Sequence, residues 1–228
     1  MQEERNRSRP DTARTGSGPT FDRLPHWYGR SLLLLSAQVL LLLLMPILTM
    51  FRDQGFVFSA FSTVVVLAAV YGLGSRRRVL IAGAILAVPA LFQTWSGALE
   101  GWKYDAFSGL AGLAFYIYAI VTILAYVLRS GRVTLDRLYA AVSVYLLIGM
   151  TFAIAYMLLH RLEPDSFSSS TIDVIGEQEL IYFSYVTLTT LGYGDITPGT
   201  PLARSLVVLE AIIGVLFIAV FVARLVAA

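Results

Sequence analysis

Charged residues punctuate long apolar runs along this chain. Ser31 to Phe51, Gln54 to Ser75, Val79 to Leu99, Ala106 to Leu128 and Leu138 to His160 contain no Asp, Glu, Lys or Arg. Each is long enough for a helix that crosses the hydrocarbon of a bilayer, which takes roughly 20 residues. A sixth run extends from about Leu202 to Val226, with Glu210 interrupting it. Between the fifth and sixth runs, GEQELIYFSYVTL (residues 176–188) reads as a shorter helix. Glu177 and Glu179 stand in its first turn, where the helix dipole favours negative charge. It is too short to cross and is expected to enter the membrane and return. The pattern predicts an all-α membrane protein with six transmembrane helices and one re-entrant helix followed by a loop. The first run is too long for a signal-peptide core and is followed by no small-residue cleavage site, so it is expected to be retained.

Composition supports the same class. With 57% hydrophobic residues, 14% charged residues and a mean hydropathy of +0.72, the apolar surface exceeds what a soluble core of 228 residues hides. Cysteine is absent, which excludes disulfides and cysteine metal sites. A net charge of +2 gives no reason to expect nucleic acid as a partner. No HExxH, nucleophile elbow or Walker loop is present, and no enzyme activity is expected. Neither His26 nor His160 has a plausible metal partner, and both are expected at the membrane boundary.

The basic residues are unevenly placed. Arg5, Arg7, Arg9, Arg14, Arg23 and Arg30 precede the first run, Arg76 to Arg78 follow the second, Arg129, Arg132 and Arg137 follow the fourth, and Arg224 ends the sixth. Only Arg52, Lys103, Arg161 and Arg204 fall on the other side. By the positive-inside rule both termini are cytoplasmic and the loop after residue 188 is external. That external segment also carries Glu163, Asp165, Asp173, Glu177 and Glu179. They form either an acidic vestibule that concentrates cations or simply a set of solvated loop charges. The tail is polar, and disorder is expected to about Pro19, with Trp27 and Tyr28 as an interfacial anchor.

The external loop reads Thr189-Thr190-Leu191-Gly192-Tyr193-Gly194-Asp195. Non-helical backbone at membrane depth is tolerated only when it is buried in protein or lines an aqueous path. Thr190 to Gly194 resembles the TVGYG selectivity filter of potassium channels, a signature of that family. Leu191 stands where the family usually has Val; its side chain is expected to face the pore helix, so the exchange alters packing more than selectivity. Gly192 and Gly194 accept positive φ at little cost, which lets alternating residues aim successive carbonyls the same way.

The resemblance implies potassium coordinated by Thr190, Leu191, Gly192 and Tyr193, with the Thr190 hydroxyl at the inner end. It covers Thr134 to Ala228; the first four spans match only the six-span layout of bacterial members. The implied parts are a cytoplasmic tail over 1–30, a four-helix voltage-sensor-like domain over 31–133 and a pore domain over 134–228. Thr189, Tyr182, Asp195 and Glu210 are the expected supports of the filter, Tyr182 as the partner of Asp195.

Glu210 is an intramembrane carboxyl, a functional candidate by default. It either bonds to the back of the pore helix, the favoured role, or places charge near the cavity. Gly214 is expected as a hinge or as a helix-packing glycine, and Val215, Ile218 and Val222 as a stripe facing the inner pore. Arg204 is expected to pair with an external acid.

One filter strand per chain cannot close a ring, so the expected assembly is a homotetramer in contact with membrane lipid. The fourth run lacks the arginines of voltage-gated relatives, so steep voltage dependence is not expected. Arg129, Arg132 and Arg137 then read as linker or lipid-headgroup contacts, or as a vestigial sensor. Only four residues follow Arg224, so gating is expected from lipid, pH, tension, the filter or an unidentified regulatory partner. The competing readings are a weakly selective cation channel and a non-conducting scaffold or regulatory subunit. A secondary transporter would show a repeated Gly-rich break, and there is no second copy.

Overall fold

The computed structural model describes residues 29–48, 54–72, 77–96, 106–129, 134–171 and 174–227. His26, Trp27 and Tyr28, the tail before them, Arg52, Arg76, Lys103, Arg132 and Asp173 lie outside the described residues.

Every apolar run contains a helix: α1 (Arg30–Leu48), α2 (Gln54–Gly72), α3 (Arg77–Ser96), α4 (Ala106–Val127), α5 (Leu135–Leu162), α6 (Glu177–Leu188) and α7 (Pro201–Val226). Among the described residues, Gly109–Val127 within α4, all of α5 and all of α7 are long and apolar enough to cross a membrane. The ends of α5 and α7 are set by local chemistry. Thr134 caps α5 by accepting from the Arg137 N–H, Asp136 lies in its first turn, and His160 and Arg161 lie in its last. Thr200 caps α7 in the same way, and Pro201 follows at a position where its missing N–H goes unnoticed.

α5 is the centre of the packing. It lies against α1, α4, α6 and α7, while α2 packs on α1 and α3 packs on α4. Tyr126 of α4 donates to the buried Asp136 of α5 at 2.6 Å, and Gln38 of α1 donates to the Ser143 carbonyl at 3.3 Å. Trp95 of α3 reaches back to Thr63 of α2 at 3.0 Å.

The structure departs from an all-α reading in one place. After a 3-10 turn (Pro164–Ser166), β1 (Phe167–Ser169) pairs antiparallel with β2 (Ile196–Pro198), Ser168 opposite Thr197. Three residues per strand are too few to leave a periodic signal in the sequence. The ribbon is extended by Ser170 N–H to the Asp195 carbonyl at 3.1 Å and Gly199 N–H to the Ser166 carbonyl at 2.8 Å. Phe167 packs between Tyr156 and Phe183, with ring centroids 5.2 and 5.5 Å away. The ribbon thus fastens the segment after the glycine loop to the top of α5.

α6 crosses α5 at Gly149, which is buried. A Cβ there would lie 2.6 Å from the Tyr185 ring and 3.2 Å from Leu188. Tyr185 is further held by its hydroxyl, which donates to the Leu146 carbonyl at 2.8 Å. Overpacking of this kind typically costs about 1–3 kcal/mol. Gly149→Ala is therefore expected to lower the thermal midpoint of the detergent-solubilised protein. Gly72→Ala, whose Cβ would meet Leu34 alone among the described residues, at 3.6 Å, is expected to leave it unchanged or raise it. Equal midpoints for the two variants would contradict this packing.

Candidate functional site

α6 is placed by both of its ends. At the start, Glu179 turns back to accept from the Gly176 N–H at 3.0 Å, and Glu177 forms an ion pair with Arg161 at the end of α5. At the finish, the last four carbonyls of a helix have no partner within it. Here each finds one. The Tyr185 carbonyl accepts from the Thr189 N–H at 3.1 Å and the Thr189 hydroxyl at 2.6 Å. The Val186 carbonyl accepts from Leu191 N–H at 2.9 Å, and the Thr187 carbonyl from Thr190 N–H at 2.9 Å. Finally, the Leu188 carbonyl accepts from the Tyr145 hydroxyl of α5 at 3.0 Å.

The loop after α6 is thus hydrogen-bonded to the helix that precedes it. Its backbone alternates: Thr190, Gly192 and Gly194 have φ of 61°, 54° and 78°, and among the described residues they are the ones at positive φ. Glycine adopts this region freely, whereas Thr190 does so at a steric cost. Residues 189–194 are all exposed, and a Cβ on Gly192 or Gly194 would meet nothing within 4 Å among the described residues of the single chain. Beyond the loop, the Tyr182 hydroxyl donates to Asp195 at 2.9 Å.

Behind the loop lies Glu210, with no exposed surface. Tyr156 of α5 donates to one carboxyl oxygen at 2.5 Å, and Ser184 of α6 lies 2.5 Å from the other. Three helices meet at this one group. Ser184 is also 2.6 Å from the Gly149 carbonyl, which can only accept. One hydroxyl proton cannot fill both contacts. The count closes when Glu210 is a neutral acid that supplies the second proton.

α7 touches its own chain along a narrow line. Its buried residues are Ala203, Glu210 and Gly214. A Cβ on Gly214 would run into the Leu188 carbonyl, so this glycine allows α7 to approach the end of α6. Val215, Ile218 and Val222 are exposed, as are Val208, Leu209 and Ile212. Arg204, expected to meet an acid, instead donates to the Pro198 carbonyl at 3.3 Å. His160 lies edge-on to Phe167 at 6.2 Å. A bond from Glu210 to α6 was expected, but Ser184 and Tyr156 as its particular partners, and the Arg161–Glu177 pair, were not foreseen. The partners lie 26, 54 and 16 residues apart, separations at which no sequence pattern signals contact.

The family model described as "Ion channel" matches residues 144–228. Protein LctB of Bacillus caldotenax is 34% identical over 100 residues, which is 41% of this chain and 72% of that protein. The chain belongs to the ion-channel family.

Two potassium channels are also similar to this ion channel over shorter stretches. Two pore potassium channel c of Oryza sativa subsp. japonica is 37% identical over 82 residues, 36% of this chain and 16% of that protein. Inward rectifier potassium channel Kirbac3.1 of Paramagnetospirillum magnetotacticum is 35% identical over 82 residues, 34% of this chain and 24% of that protein. No solved structure matches the chain. The family match begins within α5 and takes in Tyr145, Gly149, Tyr156, all of α6, the glycine loop and α7. The channel's joint at Glu210 lies wholly inside it.

Orphaning a buried hydroxyl costs about 1–3 kcal/mol, and Glu210→Ala orphans that of Tyr156 and removes the bond that Ser184 accepts. A marked loss of thermal stability is expected for Glu210→Ala, while Glu210→Gln, which keeps one donor and one acceptor, stays near the parent. If Gln proves as damaging as Ala, the neutral-acid joint is wrong.

Proposed function

We propose that the protein is a potassium-selective channel in which four copies each supply Thr190 to Gly194 to one central filter. The observation that carries this reading is the alternating positive φ at Thr190, Gly192 and Gly194 in a loop bonded to its own pore helix. Alternation turns successive carbonyls of Thr190, Leu191, Gly192 and Tyr193 to one side, where four strands replace the hydration shell of K+. A single strand cannot do this, and its exposed glycines leave space for neighbouring copies. The exposed apolar faces of α7 supply both the subunit contacts and the wall of the inner pore, with Val215, Ile218 and Val222 on that wall. Gly214 serves close packing against α6 at the point where relatives have a hinge.

Conduction follows from the same parts. Tyr182, Asp195 and the β-ribbon brace the outer mouth, and Glu210 and Tyr145 brace the filter from behind. The pore helix directs the negative end of its dipole toward the ion's path. Residues 31–133 form a sensor-like domain whose spans, with those of α5 and α7, make six; α1 to α3 have 19 or 20 residues each, about 30 Å of helix. The distribution of arginines supports cytoplasmic termini and an external filter mouth for a channel of the plasma membrane. α4 carries no Lys or Arg, so current that switches on steeply with voltage would contradict this part.

The test is cation flux into liposomes that contain the purified protein. Potassium and rubidium uptake well above sodium uptake is expected, from a particle of four chains by native mass spectrometry. Gly192→Ala strains each strand at φ 54° by about 1–2 kcal/mol, which four strands compound into at least about a tenfold loss of potassium flux. Equal sodium and potassium flux would indicate a weakly selective cation pore, and silence under all conditions a non-conducting subunit.

A further inference from the structure

α4 and α7 lie on either side of α5 and leave a groove of about 510 Å³ between them. Leu124 and Leu128 of α4, Ile148 and Phe152 of α5, and Phe217 and Phe221 of α7 line it. Thr151 also reaches the wall, but its hydroxyl is already spent on the Leu147 carbonyl at 2.7 Å. Among the described residues, every other side chain that lines the groove before Arg224 is apolar.

One end is different. Arg224 lines the groove there and donates to the carbonyl of Arg129, the residue with which the described part of α4's exit ends. Arg137 donates to the same carbonyl at 3.1 Å, and the side chain of Arg129 is exposed. The guanidinium groups of Arg137 and Arg224 therefore meet at the backbone of a third arginine. The acid of this corner, Asp136, is buried, and one of its oxygens accepts from Tyr126 at 2.6 Å. With Arg129, Arg137 and Arg224 against this one acid among the described residues, the mouth of the apolar slot carries a net positive charge.

The dimensions fit one class of occupant. From Ile117 to Leu128 the α4 wall of the groove runs about 16 Å at 1.5 Å per residue, close to half of the roughly 30 Å hydrocarbon core. A slot one leaflet deep, apolar throughout and basic at its interfacial end, has the shape and charge of a single lipid molecule. We propose that the groove between α4, α5 and α7 binds an anionic membrane phospholipid, its acyl chain along the groove and its phosphate on Arg224, Arg129 and Arg137. Such a lipid touches α4 and the last turns of α7 at once, and so links the sensor-like half to the pore helices. The inference concerns lipid and does not depend on which ion is conducted.

The absence of cysteine allows a direct test. Leu216→Cys, in the groove wall, is labelled with bimane in the otherwise unaltered full-length chain, reconstituted in vesicles that contain phosphatidylglycerol or phosphatidylcholine with brominated acyl chains. A second label at Ile85, exposed on α3 away from α7, reports contact with bulk lipid. The expected result is that brominated phosphatidylglycerol quenches the groove label severalfold more strongly than phosphatidylcholine at equal mole fraction, while the Ile85 label shows no preference. Arg129→Gln with Arg224→Gln is expected to abolish the preference, and the corresponding Lys pair to keep it. Equal quenching by the two lipids, a preference that survives the Gln pair, or no quenching by either, as when a neighbouring subunit fills the groove, would each overturn the proposal.

Discussion

A helix that stops inside an apolar environment leaves four carbonyls without partners, and everything near the glycine loop follows from how α6 meets that constraint. Three of its final carbonyls take N–H groups from the loop itself, at Thr189, Thr190 and Leu191, and the fourth takes the hydroxyl of Tyr145. The loop is therefore not an appendage on the helix. Its backbone closes the helix, and the helix fixes the conformation in which positive φ recurs at every second residue.

Holding α6 at the right depth is a matter of contacts from both neighbours. Gly149 of α5 and Gly214 of α7 each remove a side chain where α6 must come close. Glu210 then ties the three helices with two short hydrogen bonds in a site with no exposed surface. The aromatic trio of Tyr156, Phe167 and Phe183 carries the same support outward to the β-ribbon. Since α7 is buried within the chain only at Ala203, Glu210 and Gly214, this joint is a main attachment of α7, and its other faces remain for lipid or other subunits.

Much of the fold was legible because membrane crossing leaves a simple trace: runs without charge map onto helices α1 to α5, the run interrupted by Glu210 maps onto α7, and Glu177 and Glu179 mark the start of α6. The glycines of the loop and the Tyr182–Asp195 pair were also readable, since they lie within or beside one short segment. What escaped was tertiary. Ser184 looks like any helix serine until Glu210, 26 residues on, is packed against it. The ribbon between Phe167 and Pro198 is too short for periodicity, and Arg204 reaches a carbonyl where charge alone suggested an acid. Thr190 at φ 61° is the least readable feature, because residue type argues against it and only the bonds of Thr187 and Val186 to the loop require it.

The central claim, that carbonyls of Thr190 to Tyr193 bind dehydrated cations on an axis shared by four chains, is tested most directly by anomalous diffraction from crystals grown in rubidium. A row of anomalous peaks on a fourfold axis, enclosed by the carbonyl oxygens of these residues, is the expected result. Loops that do not converge on an axis, or an axis with no ordered rubidium along it, would contradict it.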